Sequence, residues 1–261
     1  KTKLNKDSLD LSGQVDVRKI TPAQLSLPAA LKKKVAFFNY PLSVNFIYNF
    51  YPKTTNFYVN GKAHFYLPQR KPVTLGFKAE QKKPDNFSVS ISTPRVSRPE
   101  LSMLWYPHED TIRKWVLKAV QGGVVENFSL DLAFDKDSQG YVVSDVHGKM
   151  KLAHIALKYM DDLPAVEGIY GTVQFDKDSL WAVVHRAQFK ELIFTNMNMS
   201  ISGFTSEPFM RFDGGLGFKG PFKDVVTYLN NGFLKKHLPR NLKVRQGQID
   251  GTFHLSTPLR K

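Results

Sequence analysis

The sequence predicts a mainly β protein of the α+β class, in which antiparallel strands form a sheet with one apolar and one polar face. Apolar residues alternate with polar residues through several separate segments, which is the period of a half-buried strand. Helical periodicity is found in only two segments. The chain has 261 residues, of which 42% are hydrophobic, so it is long enough to bury a sizeable core.

Six segments have the alternating pattern. In each of them, the residues at every second position are mostly apolar and the residues between them are mostly polar. In chain order they are residues 8–17, 42–50, 87–92, 128–134, 193–202 and 247–255. Such segments are typical of an antiparallel sheet that is covered on one side only, because the strands of a doubly wound α/β sheet are apolar on both faces.

A five-residue motif, Phe-Asp-Lys-Asp-Ser, occurs at residues 134–138 and again at 175–179. Each copy ends one strand pattern and precedes another, so both are predicted to be hairpin tips in which Asp and Ser satisfy the backbone of the turn. Neither copy has the Gly and the later bidentate carboxylate of a calcium loop, so no metal site is predicted there.

Two helices are predicted, near residues 110–121 and 221–236. Asp110 is suited to cap the start of the first helix, and Gly122 is suited to end it. Pro221 opens the second helix, whose apolar residues recur at helical spacing.

The strand pattern is interrupted in two places. Residues 94–107 contain three Pro and are the most irregular stretch, which predicts a boundary between a first β-sheet unit (residues 1–97) and a second unit (residues 98–261). The alternation also changes phase between Ala153 and Ile155, which predicts a β-bulge.

No catalytic or metal-binding motif is present. The chain has no Cys, and none of its seven His has the spacing of a zinc site. No nucleophile elbow, phosphate-binding loop or dinucleotide-binding loop occurs. Asp161 and Asp162 are adjacent, but nothing in the sequence sets their pKa values apart. The sequence therefore predicts a protein that is not an enzyme and needs no cofactor or metal.

The formal net charge is +14, from 37 Lys and Arg against 23 Asp and Glu. Such a charge suits nucleic acid, an anionic membrane surface or an acidic polymer. The basic runs are short, the longest being Lys32–Lys34, and no nucleic-acid-binding module is present. A solvated basic surface is the favoured interpretation, and no nucleic-acid partner is predicted. No stretch of about 18 apolar residues occurs that would span a bilayer.

The predicted apolar face is too large for two helices to cover. It must fold on itself as a sandwich or barrel, meet another copy or a longer chain, or line a groove for an apolar ligand. The residues alone leave these three alternatives open.

The order of features in residues 99–205 resembles the AsmA-like superfamily, in particular the YhdP and TamB type of large bacterial envelope proteins. The resemblance rests on apolar, Gly and Pro positions, without any catalytic residue, and residues 1–97 carry no sharp motif. The segments that carry it are residues 99–107, 113–116, 122–130, 148–152, 157–159 and 163–176, followed by a tail at 224–258.

This resemblance implies a strongly curved antiparallel sheet whose concave face is an elongated apolar groove that conducts phospholipid between inner and outer membranes. It implies a periplasmic location, tethered to the inner membrane by an N-terminal helix, which this sequence does not contain. The chain is therefore expected to be a fragment of a larger protein. Phospholipid, membrane and other envelope proteins are the implied partners. A closed β-sandwich that serves as a structural or interaction module of the envelope, without a lipid ligand, is the alternative. A basic scaffold for an anionic polymer or nucleic acid is a third.

The resemblance implies no polar site. It implies instead that the apolar face of the sheet lines the groove. The residues predicted to line the groove share the apolar parity of their segments. They are Val44, Phe46, Tyr48, Phe87, Val89, Ile91, Phe128, Leu130, Leu132, Ile193, Met197, Met199 and Ile201. A sealed β core is the alternative for each of them.

Overall fold

A computed structural model of the chain describes residues 2–4, 8–17, 41–104, 117–138, 140–158, 163–205, 209–230 and 246–259. These residues form thirteen strands in one sheet, and each strand lies between its neighbours in the sequence. Every pair of strands whose register is described is antiparallel. The predicted mainly β architecture with an antiparallel sheet is confirmed.

The strands and helices have the following bounds. The strands are Thr2–Leu4 (β1), Leu9–Val17 (β2), Leu42–Tyr51 (β3), Asn56–Phe65 (β4), Val73–Lys83 (β5), Asn86–Ser97 (β6), Val120–Asp137 (β7), Gly140–Leu157 (β8), Val166–Asp176 (β9), Ser179–Phe189 (β10), Leu192–Ser202 (β11), Met210–Pro221 (β12) and Gln248–Leu259 (β13). The helices are Arg98–Leu104 (α1) and Phe222–Asn230 (α2).

The chain groups into two compact units. Unit 1 comprises residues 1–109 and 127–148, and unit 2 comprises residues 110–126 and 149–261. Strands β7 and β8 contribute residues to both units. The boundary that the sequence predicts between residues 97 and 98 stays a prediction.

Both Phe-Asp-Lys-Asp-Ser motifs lie at hairpin tips, as predicted. In the β7–β8 hairpin, the Asp137 carboxylate accepts a hydrogen bond from the Gly140 amide at 3.0 Å. In the β9–β10 hairpin, the Asp176 carboxylate accepts hydrogen bonds from the amides of Asp178 (2.8 Å) and Ser179 (2.7 Å). In each motif an Asp side chain thus satisfies turn amides that the ladder leaves unpaired.

Helix α1 lies within residues 94–107, for which the sequence predicts an irregular stretch. One half of a capping box forms at its start: the Glu100 carboxylate accepts a hydrogen bond from the Ser97 amide at 2.6 Å, whereas Ser97 Oγ has no hydrogen-bond partner in the described part of the chain. Pro99 lies in the first turn, where its missing amide hydrogen costs nothing. The spacing of Ser97 and Glu100 is the sequence signal for this helix.

The bounds of the two predicted helices need correction. Residues 117–119 are helical, but the strand β7 begins at Val120, so the helix predicted at 110–121 ends two residues early. Its first residues, 110–116, lie outside the described part of the chain. The helix predicted at 221–236 begins at Phe222 because Pro221 is the last residue of β12, and residues 231–236 lie outside the described part.

Helix α2 covers part of the apolar side of unit 2. Its Tyr228 ring contacts the rings of Phe189 and Phe194, with centroids 5.1 and 5.9 Å apart. Its buried Asp224 carboxylate accepts a hydrogen bond from the Glu191 amide at 3.3 Å in the β10–β11 turn. The hydrophobic core on this side is formed by buried residues. They are Ile155, Val166, Ile169, Val184, Ala187, Phe189, Leu192 and Phe194.

Three Phe rings lie over glycines of the adjacent strand. Phe46 lies beside Gly13, Phe77 beside Gly61, and Phe218 beside Gly251, each pair directly opposite in the register. A glycine leaves room for the ring to lie across the neighbouring strand, a known way for aromatic residues to stabilise glycine in a sheet.

Substitution of Gly61 tests this arrangement. In Gly61→Ala the new Cβ would lie against the Asn45 carbonyl oxygen and 2.5 Å from Phe77 Cζ. Because a backbone atom has to move, we expect a loss of about 1–3 kcal/mol in the free energy of unfolding, measured by urea denaturation.

Gly13→Ala is the matched control. Its Cβ would lie 3.6 Å from the Phe46 ring, which is an ordinary contact. We expect no loss, or a gain of up to about 1 kcal/mol from the reduced freedom of the unfolded chain. Equal destabilisation by both substitutions would contradict the close packing at Gly61.

Candidate functional site

Strands β2–β6 of unit 1 present an apolar face that comprises three adjacent cross-strand rows. In an antiparallel ladder, residues directly opposite each other project to the same face. The cross-strand rows of this face are Leu11–Tyr48–Val59–Ala79–Val89, then Gly13–Phe46–Gly61–Phe77–Ile91, then Val15–Val44–Ala63–Leu75. We call these rows, with the residues of β7 that join them below, the apolar face of unit 1.

The opposite side of the same strands is polar. Its cross-strand rows are Asp10–Asn49–Tyr58–Glu80–Ser88, then Ser12–Ile47–Asn60–Lys78–Ser90, then Gln14–Asn45–Lys62–Gly76–Ser92, then Asp16–Ser43–His64–Thr74. We call these rows the polar face of unit 1. One sheet therefore separates two surfaces of opposite chemistry.

Side-chain hydrogen bonds join neighbouring strands across the polar face. The Asn49 amide donates to Asp10 at 2.7 Å, and His64 Nδ1 lies 3.0 Å from Thr74 Oγ1. Hydrogen bonds from Ser43 and then from Gln14 hold the pKa of the Asp16 carboxyl below its ordinary value. These bonds stabilise the register and with it the separation of the two faces.

Burial is uneven along the apolar face. The residues at one end are buried, namely Leu42, Ala63, Phe65 and Val73. Phe46, Tyr48 and Phe77 in the middle rows are only half-buried, and Val15 is 48% exposed. Within the part of the chain that the structure describes, these rows are thus left accessible to a ligand or a partner.

Strand β7 continues this face. The rings of Phe87 and Phe134 stack with centroids 4.4 Å apart and an angle of 4°. Tyr141 meets Phe87 edge to face at 4.9 Å. The stack places Phe134 beside β6, and the residues at the same parity of β7 lie in line with it.

The predicted lining residues of unit 1 come together on this surface. Val44, Phe46, Tyr48, Val89 and Ile91 lie in the rows given above. Phe87 has the parity of Val89, and on β7 the parity of Phe134 is shared by Phe128, Leu130 and Leu132.

Strands β4 and β5 supply apolar residues that the sequence analysis did not name. They lie between the predicted ones and are Val59, Ala63, Leu75, Phe77 and Ala79. The alternation is present in both strands. In β4 it is broken by Gly61, and in β5 it runs beside Lys and Gln, so the signal is weaker than in the six segments recognised.

In unit 2 the alternation is interrupted by residues in the left-handed region. His154 has a φ of 52°, which confirms the predicted change of phase between Ala153 and Ile155. Asn196 has a φ of 50° in β11, where the register with β12 shifts between Thr195 and Asn198. Such bulges move the following side chains to the other face.

The bulge at Asn196 separates one predicted lining residue from the others. Met197 and Met199 pair with Val184 and Ala182, and both methionines pack against the core of unit 2. Ile193 pairs instead with the exposed Gln188, so it lies on the polar side.

The apolar side of unit 2 also includes Ile201, the last of the predicted lining residues, and exposed residues on β13. Ile201 pairs with Leu180 and Phe212 on the same side as Met199. On the edge strand β13, Phe253 is 49% exposed and Leu255 is 37% exposed. The residues packed beneath α2 are therefore buried, whereas the apolar side of the edge strand β13 is accessible.

A shallow pocket of about 470 Å³ lies on the other side of unit 2. The Tyr170 hydroxyl contacts the His154 ring, and the centroids of the two rings are 4.4 Å apart. The remaining lining residues are Glu126, Lys151, Leu152, Ala153, Gly171, Thr172 and His185. In the described ranges, no group of three or more His, Asp or Glu could hold a metal ion.

The sequence matches no protein-family model, and no curated protein or solved structure matches it. In the parts of the chain that are described, no helix is long and apolar enough to cross a membrane. The AsmA-like resemblance therefore stays a prediction.

The bulge at Asn196 can be tested by stability. We expect Asn196→Ala to lower the free energy of unfolding by about 1 kcal/mol, because Ala is strained in the left-handed region. Asn196→Gly adopts that conformation freely and should cause no such loss.

Asn198→Ala, in extended strand two residues away, is the control and should change stability by less than about 0.5 kcal/mol. Urea denaturation measures all three variants. If Asn196→Gly destabilises as much as Asn196→Ala, the bulge is not at this position.

Proposed function

We propose that this chain is a non-enzymatic segment of a bacterial envelope protein that binds phospholipid acyl chains on its apolar face and conducts them between the inner and outer membranes. The observation that supports this most is the apolar face of β2–β6, whose middle rows are half-buried. Binding of an acyl chain requires only apolar surface of this kind.

The energetics require that the face be concave. A fully buried methylene contributes about 0.8 kcal/mol. A chain of about 14 methylenes on a flat sheet buries about half of its surface and gains about 6 kcal/mol, whereas association costs about 4–15 kcal/mol. A flat face therefore retains lipid weakly, whereas a strongly curved sheet, which forms an elongated groove, buries up to twice as much of the chain and gains up to about 11 kcal/mol.

The proposed partners follow from this activity. They are phospholipid, the two membranes and other envelope proteins, with the chain in the periplasm and tethered to the inner membrane through a longer protein. The apolar face supplies contacts for the acyl chains. The Lys and Arg residues at its rim would contact the headgroup phosphates.

A structural or interaction module without a lipid is the second candidate. The buried core under helix α2 favours it for unit 2, because Ala187 and Leu192 are sealed there, with exposed fractions of 0% and 2%. A face closed in this way throughout would leave no room for an acyl chain.

Mass spectrometry of lipid extracted from the purified chain tests the proposal. We expect stoichiometric phospholipid with the wild type and a loss of most of it with Val89→Glu and Met199→Glu. A carboxylate at Val89 on the apolar face of unit 1, or at Met199 on the apolar side of unit 2, would have to be buried beside the acyl chain, which is unfavourable.

Each variant has a control on the neighbouring residue of the same strand. Ser88→Glu and Ser200→Glu introduce the same charge on the opposite side of the sheet, since Ser88 pairs with Glu80 and Ser200 with Asp213. These controls should retain the lipid. A folded wild type without lipid, or equal loss in variants and controls, would favour the structural module.

A further inference from the structure

A depression on the polar face of unit 1 is formed around one glycine. Gly76 on β5 lies directly between Lys62 on β4 and Ser92 on β6. A Cβ on Gly76 would lie 2.7 Å from Ser92 Oγ, so the absence of a side chain creates the depression. The other polar side chains that line it lie in the adjacent cross-strand row and are Asn60, Lys78 and Ser90.

The depression has the size for a small group. Its volume is about 210 Å³. This is several times the roughly 30 Å³ that a water molecule takes up in the liquid. It is below the roughly 300 Å³ at which pockets for drug-sized ligands begin. The volume therefore favours one compact group over a whole organic molecule.

The side chains around Gly76 select for negative charge. Each polar side chain that lines the depression can donate a hydrogen bond, and no carboxylate lines it. Lys62 and Lys78 are diagonal neighbours on one face, close enough for both ammonium groups to attract the same anion, although Glu80 already neutralises part of the charge of Lys78.

The two lysines differ in their counter-charges. Lys78 forms an ion pair with Glu80 at 2.9 Å, and this hydrogen bond raises the pKa of Lys78 above its ordinary value. Lys62 forms no ion pair with any residue of the described part of the chain. The hydroxyls of Ser90 and Ser92 form no hydrogen bond within the same part, so they are available to a ligand.

We propose that the Gly76 depression binds a phosphate group. A phosphate has oxygens on several sides, and these accept hydrogen bonds from the two ammonium groups and from the hydroxyls of β6. Gly76 permits the group to approach the backbone closely. The site lies on the face opposite the apolar face, so it does not rest on the proposed lipid function.

Titration of the whole chain with inorganic phosphate, followed by NMR, tests the proposal. At constant ionic strength adjusted with sodium chloride, the amide signals of Gly76 and Ser92 should shift and saturate. Lys62→Ala should weaken binding about tenfold or more, because a charge-assisted hydrogen bond is lost. Lys71→Ala removes the same charge from an exposed loop residue of unit 1 and should leave binding unchanged.

A second variant blocks the site without a change in charge. Gly76→Ala places a methyl group on the floor, and only the flexible Ser92 side chain has to move, so the fold should be retained. We expect phosphate binding to be lost while the unfolding temperature stays close to that of the wild type. Retention of full phosphate affinity in a folded Gly76→Ala variant would overturn the proposal.

Two further outcomes would overturn it as well. One is the absence of saturable shifts in the wild type. The other is equal weakening by Lys62→Ala and Lys71→Ala, which would indicate a diffuse attraction to the basic surface.

Cosedimentation with vesicles of phosphatidylglycerol in phosphatidylcholine identifies the source of the phosphate once saturable binding is established. A selective loss in Lys62→Ala assigns a lipid headgroup as a ligand of the site. No difference between Lys62→Ala and Lys71→Ala assigns the site to phosphate in solution.

Discussion

The register between neighbouring strands is the constraint on which the rest of this molecule depends. From β2 to β5 the strands pair without a shift, so each residue in the three rows of the apolar face meets an apolar or glycine partner on the next strand. A slip of one residue between β3 and β4 would place Lys62 on the side of Phe46, and Asn45 on the side of Phe77. The apolar face and the Gly76 depression are both consequences of one register, seen from its two sides.

Unit 2 keeps its apolar residues together by a different means. Its strands contain bulges, with His154 and Asn196 in the left-handed region, and the apolar residues change parity at these points. Leu192 and Phe194 precede the bulge of β11 and Met197 and Met199 follow it, yet all four belong to or pack against one core. The bulge therefore compensates for a sequence that does not alternate evenly.

Much of this fold was accessible from the sequence, for identifiable reasons. Strict alternation predicts strands well, because a period of two residues does not match the 3.6-residue period of a helix. Asp137 and Asp176 predict their turns, because an Asp side chain can accept hydrogen bonds from the backbone amides of a turn. The side of Ile193 was not predictable, since Leu192, Ile193 and Phe194 are all apolar and periodicity alone does not locate a bulge among them. The Gly76 depression was missed because it results from cross-strand neighbours that are distant in sequence.

The linear order of the strands affects both how the sheet folds and how its number of strands can vary. Since each strand pairs only with its sequence neighbours, contacts are local for a β protein, and local contacts favour rapid folding. Assembly can proceed hairpin by hairpin, much as repeat proteins grow by nearest-neighbour contacts. A hairpin inserted or deleted in such an order leaves the remaining pairings intact, so the length of the sheet can vary without a change in topology.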